Sequence, residues 1–142
     1  MSGFKLRIRI AALLLALSPL APSAAAQTLA GGLYVNEHYD PHANPYRDLE
    51  RGITRASAEN KRILIIVGGD WCGWCEVFDL HLARDADVRE AFERSFVILK
   101  VNVSSANQNE VFLSGFPSSA GYPDLFILDG NGAYLGRQTT EV

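Results

Sequence analysis

Trp71-Cys72-Gly73-Trp74-Cys75 contains both cysteines of this 142-residue chain, three positions apart. At this spacing on the first turn of a helix, two side chains point the same way and their Cα atoms lie roughly 5–6 Å apart, within disulfide range. The positive end of the helix dipole also lowers the pKa of a thiol at a helix N-terminus. The stretch therefore predicts a reversible dithiol/disulfide, with Cys72 as the nucleophile and Cys75 as the resolving partner.

Two other interpretations of the cysteine pair stay open. A zinc site needs further Cys or His ligands, and the sequence offers His81 on the same predicted helix but no second cysteine pair. An inert structural disulfide is the other alternative. Trp71 and Trp74 favour redox chemistry, because large aromatic residues on both sides of a reactive pair form an apolar surface suited to docking a substrate. We therefore expect thiol exchange with no metal and no cofactor.

A buried strand is predicted directly before the pair. Arg62 is followed by the continuous apolar run Ile63 to Val67, bounded by Gly68-Gly69, which is typical of a strand covered on both faces in a parallel sheet. The cysteines follow the carboxyl end of this strand, where open α/β sheets place their sites. A helix from about Cys72 to Ala83 is expected to carry them.

The rest of the chain alternates between helical and strand patterns. Helices are predicted from Pro45 to Asn60, from a capping box at Asp87-Val88-Arg89-Glu90 with Val88, Ala91 and Phe92 inward, and over 107–113. Strands are predicted over 96–103 and 124–128, with a hairpin turn at 129–132 and a return strand at 133–135. Helical segments between the first two strands favour a right-handed crossover to a parallel neighbour. This order indicates an α/β domain over residues 45–142.

Residues 1–26 predict a secretory signal peptide. Lys5, Arg7 and Arg9 form a positive start, Ile10 to Leu17 an apolar segment, and Ala24-Ala25-Ala26 a small-residue cleavage site. The apolar segment is far shorter than the ~20 residues that a membrane helix needs. We therefore expect a periplasmic or secreted protein whose mature chain spans no membrane.

The predicted mature chain is acidic and begins with a turn-rich segment. Removing the three basic residues of the signal peptide takes the formal net charge from −3 to −6, and no Lys/Arg cluster indicates nucleic-acid binding. Residues 27–44 are a turn-rich lead-in with at most a short strand near 33–35. His38, Asp40 and His42 alternate within it, a pattern that can bind a transition metal but is more often solvated in a polar loop.

The residues around the cysteines resemble the thioredoxin superfamily. Gly69-Asp70-Trp71-Cys72-Gly73-Trp74-Cys75 is similar to the family's strand-to-helix active site, and Gly121-Tyr122-Pro123 resembles its cis-proline loop. Tyr39-Asp40-Pro41, followed by residues 45–49, is similar to the opening pattern of exported bacterial thioredoxin-like proteins. The resemblance implies a thioredoxin-like fold, a central mixed β-sheet flanked by helices. It also implies substrate docking on Trp71, Gly73, Trp74, Tyr122 and Pro123.

Three features depart from the family pattern. Ile66 lies six residues before the first cysteine, where many thioredoxins have a buried acid that helps to deprotonate the resolving thiol. Glu76 follows the second cysteine, where the family often has a basic residue. Its charge either raises a thiol pKa by repulsion or serves as a nearby base. Only residues 138–142 follow Arg137, where the family has a last helix.

The function predicted from these residues is thiol-disulfide exchange with exported protein substrates. Its partners would be protein thiols and disulfides, with a membrane oxidoreductase as a candidate electron donor or acceptor. The alternative is a thioredoxin-like binding module with a structural disulfide and no turnover. Ile66 and Glu76 favour the module, whereas the two tryptophans favour the enzyme. The sequence does not decide the direction of electron flow, because that depends on how the folded site stabilises thiolate and disulfide.

Overall fold

The computed structural model describes residues 32–140, so the predicted signal peptide lies outside the described residues. Helices and strands alternate along this part of the chain. In chain order they are α1 (Pro45–Glu59), β1 (Arg62–Gly68), α2 (Gly73–Arg84), α3 (Ala86–Ser95), β2 (Phe96–Asn102), α4 (Glu110–Leu113), β3 (Asp124–Leu128) and β4 (Tyr134–Gln138). The predicted α/β fold is confirmed.

A mixed sheet with the strand order β2-β1-β3-β4 forms the centre of this domain. β1 pairs in parallel with β2, from Arg62 opposite Phe96 to Gly68 opposite Asn102, as the predicted crossover requires. β3 is antiparallel to β1 and forms the predicted hairpin with β4. In the lead-in, the predicted short strand is a single parallel bridge between Tyr34 and Ile98. β1 therefore lies inside the sheet, with a neighbour on each side.

The two faces of β1 belong to two separate apolar clusters. Ile63, Ile65 and Val67 pack in one cluster with Ala56 of α1. Leu64 and Ile66 pack in the other, with Cys75 and Leu82 of α2. Successive side chains of a strand point to opposite faces, so a continuous apolar run is what a strand covered on both faces needs. The second cluster brings the start of α2 against the sheet.

Three predicted boundaries were wrong, each for a local reason. α3 begins at Ala86 and not at Asp87, because the Asp85 carboxylate accepts hydrogen bonds from the backbone N–H groups of Asp87 and Val88, both at 3.1 Å. Val88 and Phe92 of this helix pack against an apolar cluster as expected, whereas Ala91 is exposed rather than inward. α4 begins at Glu110 because the preceding residue has a left-handed backbone, with φ 48°. β4 is longer than expected and extends to Gln138.

Candidate active site

The two cysteines lie at the N-terminus of α2, directly beyond the end of β1. Cys72 is the N-cap residue, and a disulfide joins it to Cys75, with a Cα–Cα distance of 5.3 Å. The Cys72 sulfur accepts a hydrogen bond from the backbone N–H of Cys75 at 3.2 Å. This N–H is one of the helix-terminal donors that stabilise negative charge. The predicted pairing and its position are both present in the structure.

The two tryptophans beside the cysteines are both exposed to solvent, but they differ in how firmly they are held. Trp71 and Trp74 are 58% and 72% exposed, whereas Cys72 and Cys75 are only 6% and 2% exposed. The Trp71 indole N–H donates to the carbonyl oxygen of Val103 at 2.6 Å, and its ring meets the Tyr122 ring edge-on at 5.4 Å. Trp71 is therefore held in place, while Trp74 presents most of its ring to solvent.

The loop before β3 faces the disulfide. The Tyr122-Pro123 peptide bond is cis, as predicted, and the Trp71 contact places Tyr122 beside the cysteine motif. Within residues 32–140, no hydrogen bond engages the backbone N–H or C=O of Tyr122. A mainly apolar groove of about 350 Å³ runs from α2 to this loop, lined by Trp74, Val77, Phe78, His81, Tyr122, Pro123 and Thr140. The groove lies between α2, whose N-terminus carries the disulfide, and the cis-proline loop.

A buried ion pair holds the residue after the cis proline. The Asp124 carboxylate is fully buried and contacts Arg137 of β4 at 2.7 Å. Its other oxygen accepts from the Ser119 hydroxyl at 2.7 Å. The Thr140 hydroxyl donates to the carbonyl oxygen of Pro123 at 2.6 Å. The end of the loop that contains the cis proline is therefore held by β4 and by the residues that follow it.

A polar cluster lies behind the cysteines, on the side away from the groove. The Lys100 ammonium group of β2 is buried and contacts the Asp79 carboxylate of α2 at 2.6 Å and the Glu37 carbonyl oxygen at 2.8 Å. It also lies 5.1 Å from the centre of the Tyr34 ring and 5.2 Å from that of Tyr39. Each of these two contacts is a cation–π interaction.

The two tyrosines of this cluster are held in their neutral form. Burial, together with the nearby Asp79 carboxylate, raises the pKa of Tyr34 to about 12. The same two causes raise the pKa of Tyr39 further. Sequence analysis missed this cluster. The signal that could have revealed it is Lys100 itself, a charged residue inside the apolar strand of residues 96–103.

Two predicted departures from the family pattern can be placed in the structure. Ile66 is buried in the same cluster as Cys75, so the position beneath the pair is apolar. Glu76 is exposed on the first turn of α2. Gly73, the first residue of α2, is also exposed, with open space around its Cα.

The alternating residues His38, Asp40 and His42 of the lead-in do not form a metal-binding group. His38, Asp40 and His42 are exposed, and the Asp40 carboxylate accepts a hydrogen bond from the His42 backbone at 2.8 Å. In the described part of the chain, no three His, Cys, Asp or Glu side chains form a group that could hold a metal ion. Among the helices of residues 32–140, none is both long and apolar enough to cross a membrane.

A mixed sheet, a Cys-x-x-Cys disulfide at a helix N-terminus and a cis proline opposite it define a thioredoxin-type fold. Residues 44–130 match the sequence pattern of the Thioredoxin-like family, and the chain belongs to that family. Over 93 residues it is 27% identical to the thiol:disulfide interchange protein DsbD of Colwellia psychrerythraea. This match covers 65% of the chain but only 15% of that longer relative.

Two solved structures have the same fold. The disulphide isomerase from Xylella fastidiosa Temecula1 superposes with a TM-score of 0.63 at 19% identity, covering 72% of this chain and 79% of that one. The C-terminal domain of Neisseria meningitidis DsbD, in its oxidised form, superposes with a TM-score of 0.53 at 17% identity, covering 72% of this chain and 85% of that one. At these identities the likeness concerns the fold alone.

Proposed function

We propose that this protein is a thiol-disulfide oxidoreductase that acts on exported protein substrates through Cys72 and Cys75. The observation that carries the proposal is the Cys72–Cys75 disulfide at the N-terminus of α2, with the Cys72 sulfur hydrogen-bonded to a helix-terminal N–H. The similarity to a thiol:disulfide interchange protein supports the same reaction class. No cofactor takes part.

The reaction is a pair of thiol-disulfide exchanges. In the reducing direction, the Cys72 thiolate attacks a substrate disulfide, forms a mixed disulfide and releases one substrate thiolate. The Cys75 thiolate then attacks the Cys72 sulfur, releases the second substrate thiolate and closes the Cys72–Cys75 bond. Two electrons pass to the substrate, whose thiolates take up protons from water. The reverse sequence oxidises a substrate dithiol.

Substrate docks in the groove beside Cys72. Trp74, Tyr122 and Pro123 line this groove and supply apolar contact. Gly73, next to Cys72 in sequence, leaves open space for the substrate, and Trp71 supports the Tyr122 ring by an edge-on contact. The unengaged backbone of Tyr122 is available to pair with an extended substrate segment, as in strand addition.

The chain acts outside the cytoplasm, in the periplasm or as a secreted protein. The signal-peptide pattern of residues 1–26 supports export, with residues 27–44 as a lead-in and 45–142 as the catalytic domain. After each turnover the cysteine pair must be reset by a second redox protein. A membrane oxidoreductase that donates or accepts electrons is the partner that we propose for this step.

The test is to trap the mixed disulfide in an exporting bacterium. Cys75→Ala removes the resolving thiol, so adducts between Cys72 and exported proteins should accumulate on non-reducing gels. Cys72→Ala is the matched control and should trap nothing. Trp71→Ala and Trp74→Ala in the Cys75→Ala background should lower the adduct yield without abolishing it.

A thioredoxin-like binding module is the second candidate function. The apolar Ile66 beneath the cysteines favours it, because no acid at that position assists deprotonation. In that case neither cysteine variant traps an adduct, and the wild-type pair stays oxidised and resists reduction. This outcome would replace the oxidoreductase proposal by a docking function with a structural disulfide.

A further inference from the structure

The lead-in before α1 reaches the resolving cysteine. Residues 32–43 lie outside the stretch 44–130 that matches the family pattern. Yet the backbone of the lead-in pairs with β2, and Tyr39 is buried in the same apolar cluster as Cys72 and Cys75. The segment is therefore part of the site, although its sequence reads as a series of turns.

The Tyr39 hydroxyl and the Cys75 sulfur both lie against Gly68, the last residue of β1. A methyl group added to Gly68 would overlap with the Cys75 sulfur and would lie 3.3 Å from the Tyr39 hydroxyl oxygen. The Cys75 sulfur therefore lies within the volume that a side chain at Gly68 would fill, and the Tyr39 hydroxyl lies in close contact with that volume. In the part of the chain that the structure describes, no hydrogen bond engages the Tyr39 hydroxyl. The Tyr34 hydroxyl, by contrast, donates to Asp79 at 3.4 Å.

The Tyr39 ring is held by charged neighbours from several elements. The Lys100 ammonium of β2 lies against its face and is anchored on Asp79 and on the Glu37 carbonyl. Tyr39 also lines a cavity of about 380 Å³. The other residues that line it are charged or titratable and come from the lead-in, the loop after β1, α2, α3 and β2. They are Tyr34, Glu37, His38, Asp70, Asp79, Arg89 and Lys100. Burial, then Asp79, Tyr34 and Asp70, raise the pKa of Tyr39, so the phenol keeps its proton at neutral pH.

We propose that the Tyr39 hydroxyl donates a hydrogen bond to the Cys75 sulfur once the Cys72–Cys75 bond is open. This inference rests on the proposed function, because it concerns the step in which Cys75 resolves the mixed disulfide. Cys75 gives its proton to water, and its thiolate attacks the Cys72 sulfur, forming one S–S bond and breaking another. Tyr39 keeps its proton throughout and stabilises the thiolate. Ile66 has no acidic group that could assist deprotonation of Cys75. The hydrogen bond from Tyr39 favours the Cys75 thiolate instead.

The experiment measures the Cys75 thiol alone, in a Cys72→Ser background. The thiolate fraction is followed by ultraviolet absorbance as a function of pH. Tyr39→Phe keeps the ring and its contact with Lys100 but removes the hydroxyl. We expect about tenfold less Cys75 thiolate at neutral pH, the size expected for losing one hydrogen bond to a charged group. Tyr34→Phe is the matched control and should leave the titration unchanged.

Equal titration curves in Tyr39→Phe and in its Tyr39-containing parent would overturn the proposal. If Tyr39→Phe does not fold, ring-carbon NMR of labelled tyrosines in the Cys72→Ser chain answers the same question. The Tyr39 signal should follow the titration of Cys75, and the Tyr34 signal should not. A Tyr39 signal that does not change as Cys75 titrates would refute the hydrogen bond between Tyr39 and Cys75. Failure of the proposed function is a separate result, namely an absence of trapped adducts with Cys75→Ala.

Discussion

The two sides of the cysteine pair differ more than a separation of three residues would suggest. On one side, Trp74, Tyr122 and Pro123 line a mainly apolar groove. On the Cys75 side, Tyr39 and Lys100 belong to a buried polar cluster. We call the side with the apolar groove the open side, and the side where Tyr39 and Lys100 are buried the closed side.

This difference fits the tasks that the proposed function assigns to the two sulfurs. Under that proposal Cys72 meets substrates of varied sequence, and an apolar surface with unengaged backbone binds many chains without selecting one. Cys75 needs to reach only Cys72, so its surroundings can be fixed around a single thiolate. A buried polar group there has to be satisfied by partners, and the Lys100 contacts with Asp79 and Glu37 satisfy it.

The largest expected loss of stability comes from adding a methyl group at Gly68, on the closed side. In Gly68→Ala, the added methyl group overlaps with the Cys75 sulfur, and pairing of Gly68 with Asn102 in the sheet limits any backbone shift. Overpacking of this kind lowers the free energy of unfolding by typically 1–3 kcal/mol. Urea unfolding of the oxidised protein measures it. Gly73→Ala is the control on the open side, where the space around the Cα is empty, and should change stability by less than about 0.5 kcal/mol. Equal losses in the two variants would contradict the comparison.

The open side could be predicted from the sequence better than the closed side. The strand Ile63 to Val67 and the cysteine spacing are local patterns, each read within one element. The cluster behind Cys75 joins Lys100 to Glu37, 63 positions away, and to Asp79, 21 positions away. Hydrophobic periodicity identifies a helix or a strand, but it does not determine which lead-in side chain lies against which strand. Tyr39 was therefore visible only as part of a turn-rich motif.

Removing the positive charge of Lys100 from the polar cluster should cause the next largest loss of stability. Lys100→Met keeps the apolar stem but leaves the Asp79 carboxylate without its partner. Breaking a fully buried pair costs about 3–5 kcal/mol, and because Asp79 is partly exposed we expect about 2 kcal/mol in urea unfolding. The control is Arg94→Met, which removes the exposed pair with Glu90 and should cost less than about 0.5 kcal/mol. A Lys100→Met loss as small as that of the control would mean that the cluster does not stabilise the fold.

The third prediction compares the two thiols directly. In the reduced protein, Cys72 should be alkylated about ten times faster than Cys75, because Cys72 is the N-cap residue of α2. Brief iodoacetamide treatment followed by peptide mass spectrometry measures the ratio. Faster labelling of Cys75 would reverse the assignment of the two roles.

The closed side should also make stability depend on alkaline pH. The folded chain raises the pKa of Tyr34 to about 12, so folding favours the protonated phenol. This contribution is complete below the ordinary tyrosine pKa of about 10 and is lost as the pH rises towards the folded value. Urea midpoints measured from neutral pH upward should therefore fall, and Tyr34→Phe should make this fall shallower. Tyr46→Phe, at an exposed position, serves as the control and should leave the slope as it is.

The smallest expected effect belongs to Glu76, which is adjacent to Cys75 in sequence but exposed on the surface of α2. As a candidate base, its carboxylate would take the Cys75 proton, and Glu76→Gln would then slow the breakdown of mixed disulfides near neutral pH. Glu76 is exposed, and an exposed charge acts weakly through solvent, so we expect a decrease of about twofold or less. Rapid-quench measurement of mixed-disulfide decay in Glu76→Gln and, in parallel, in Tyr39→Phe compares the rate losses of the two variants. A larger loss in Glu76→Gln than in Tyr39→Phe would show that Cys75 is controlled from the solvent side, and the distinction between an open and a closed side would then fail at the resolving step.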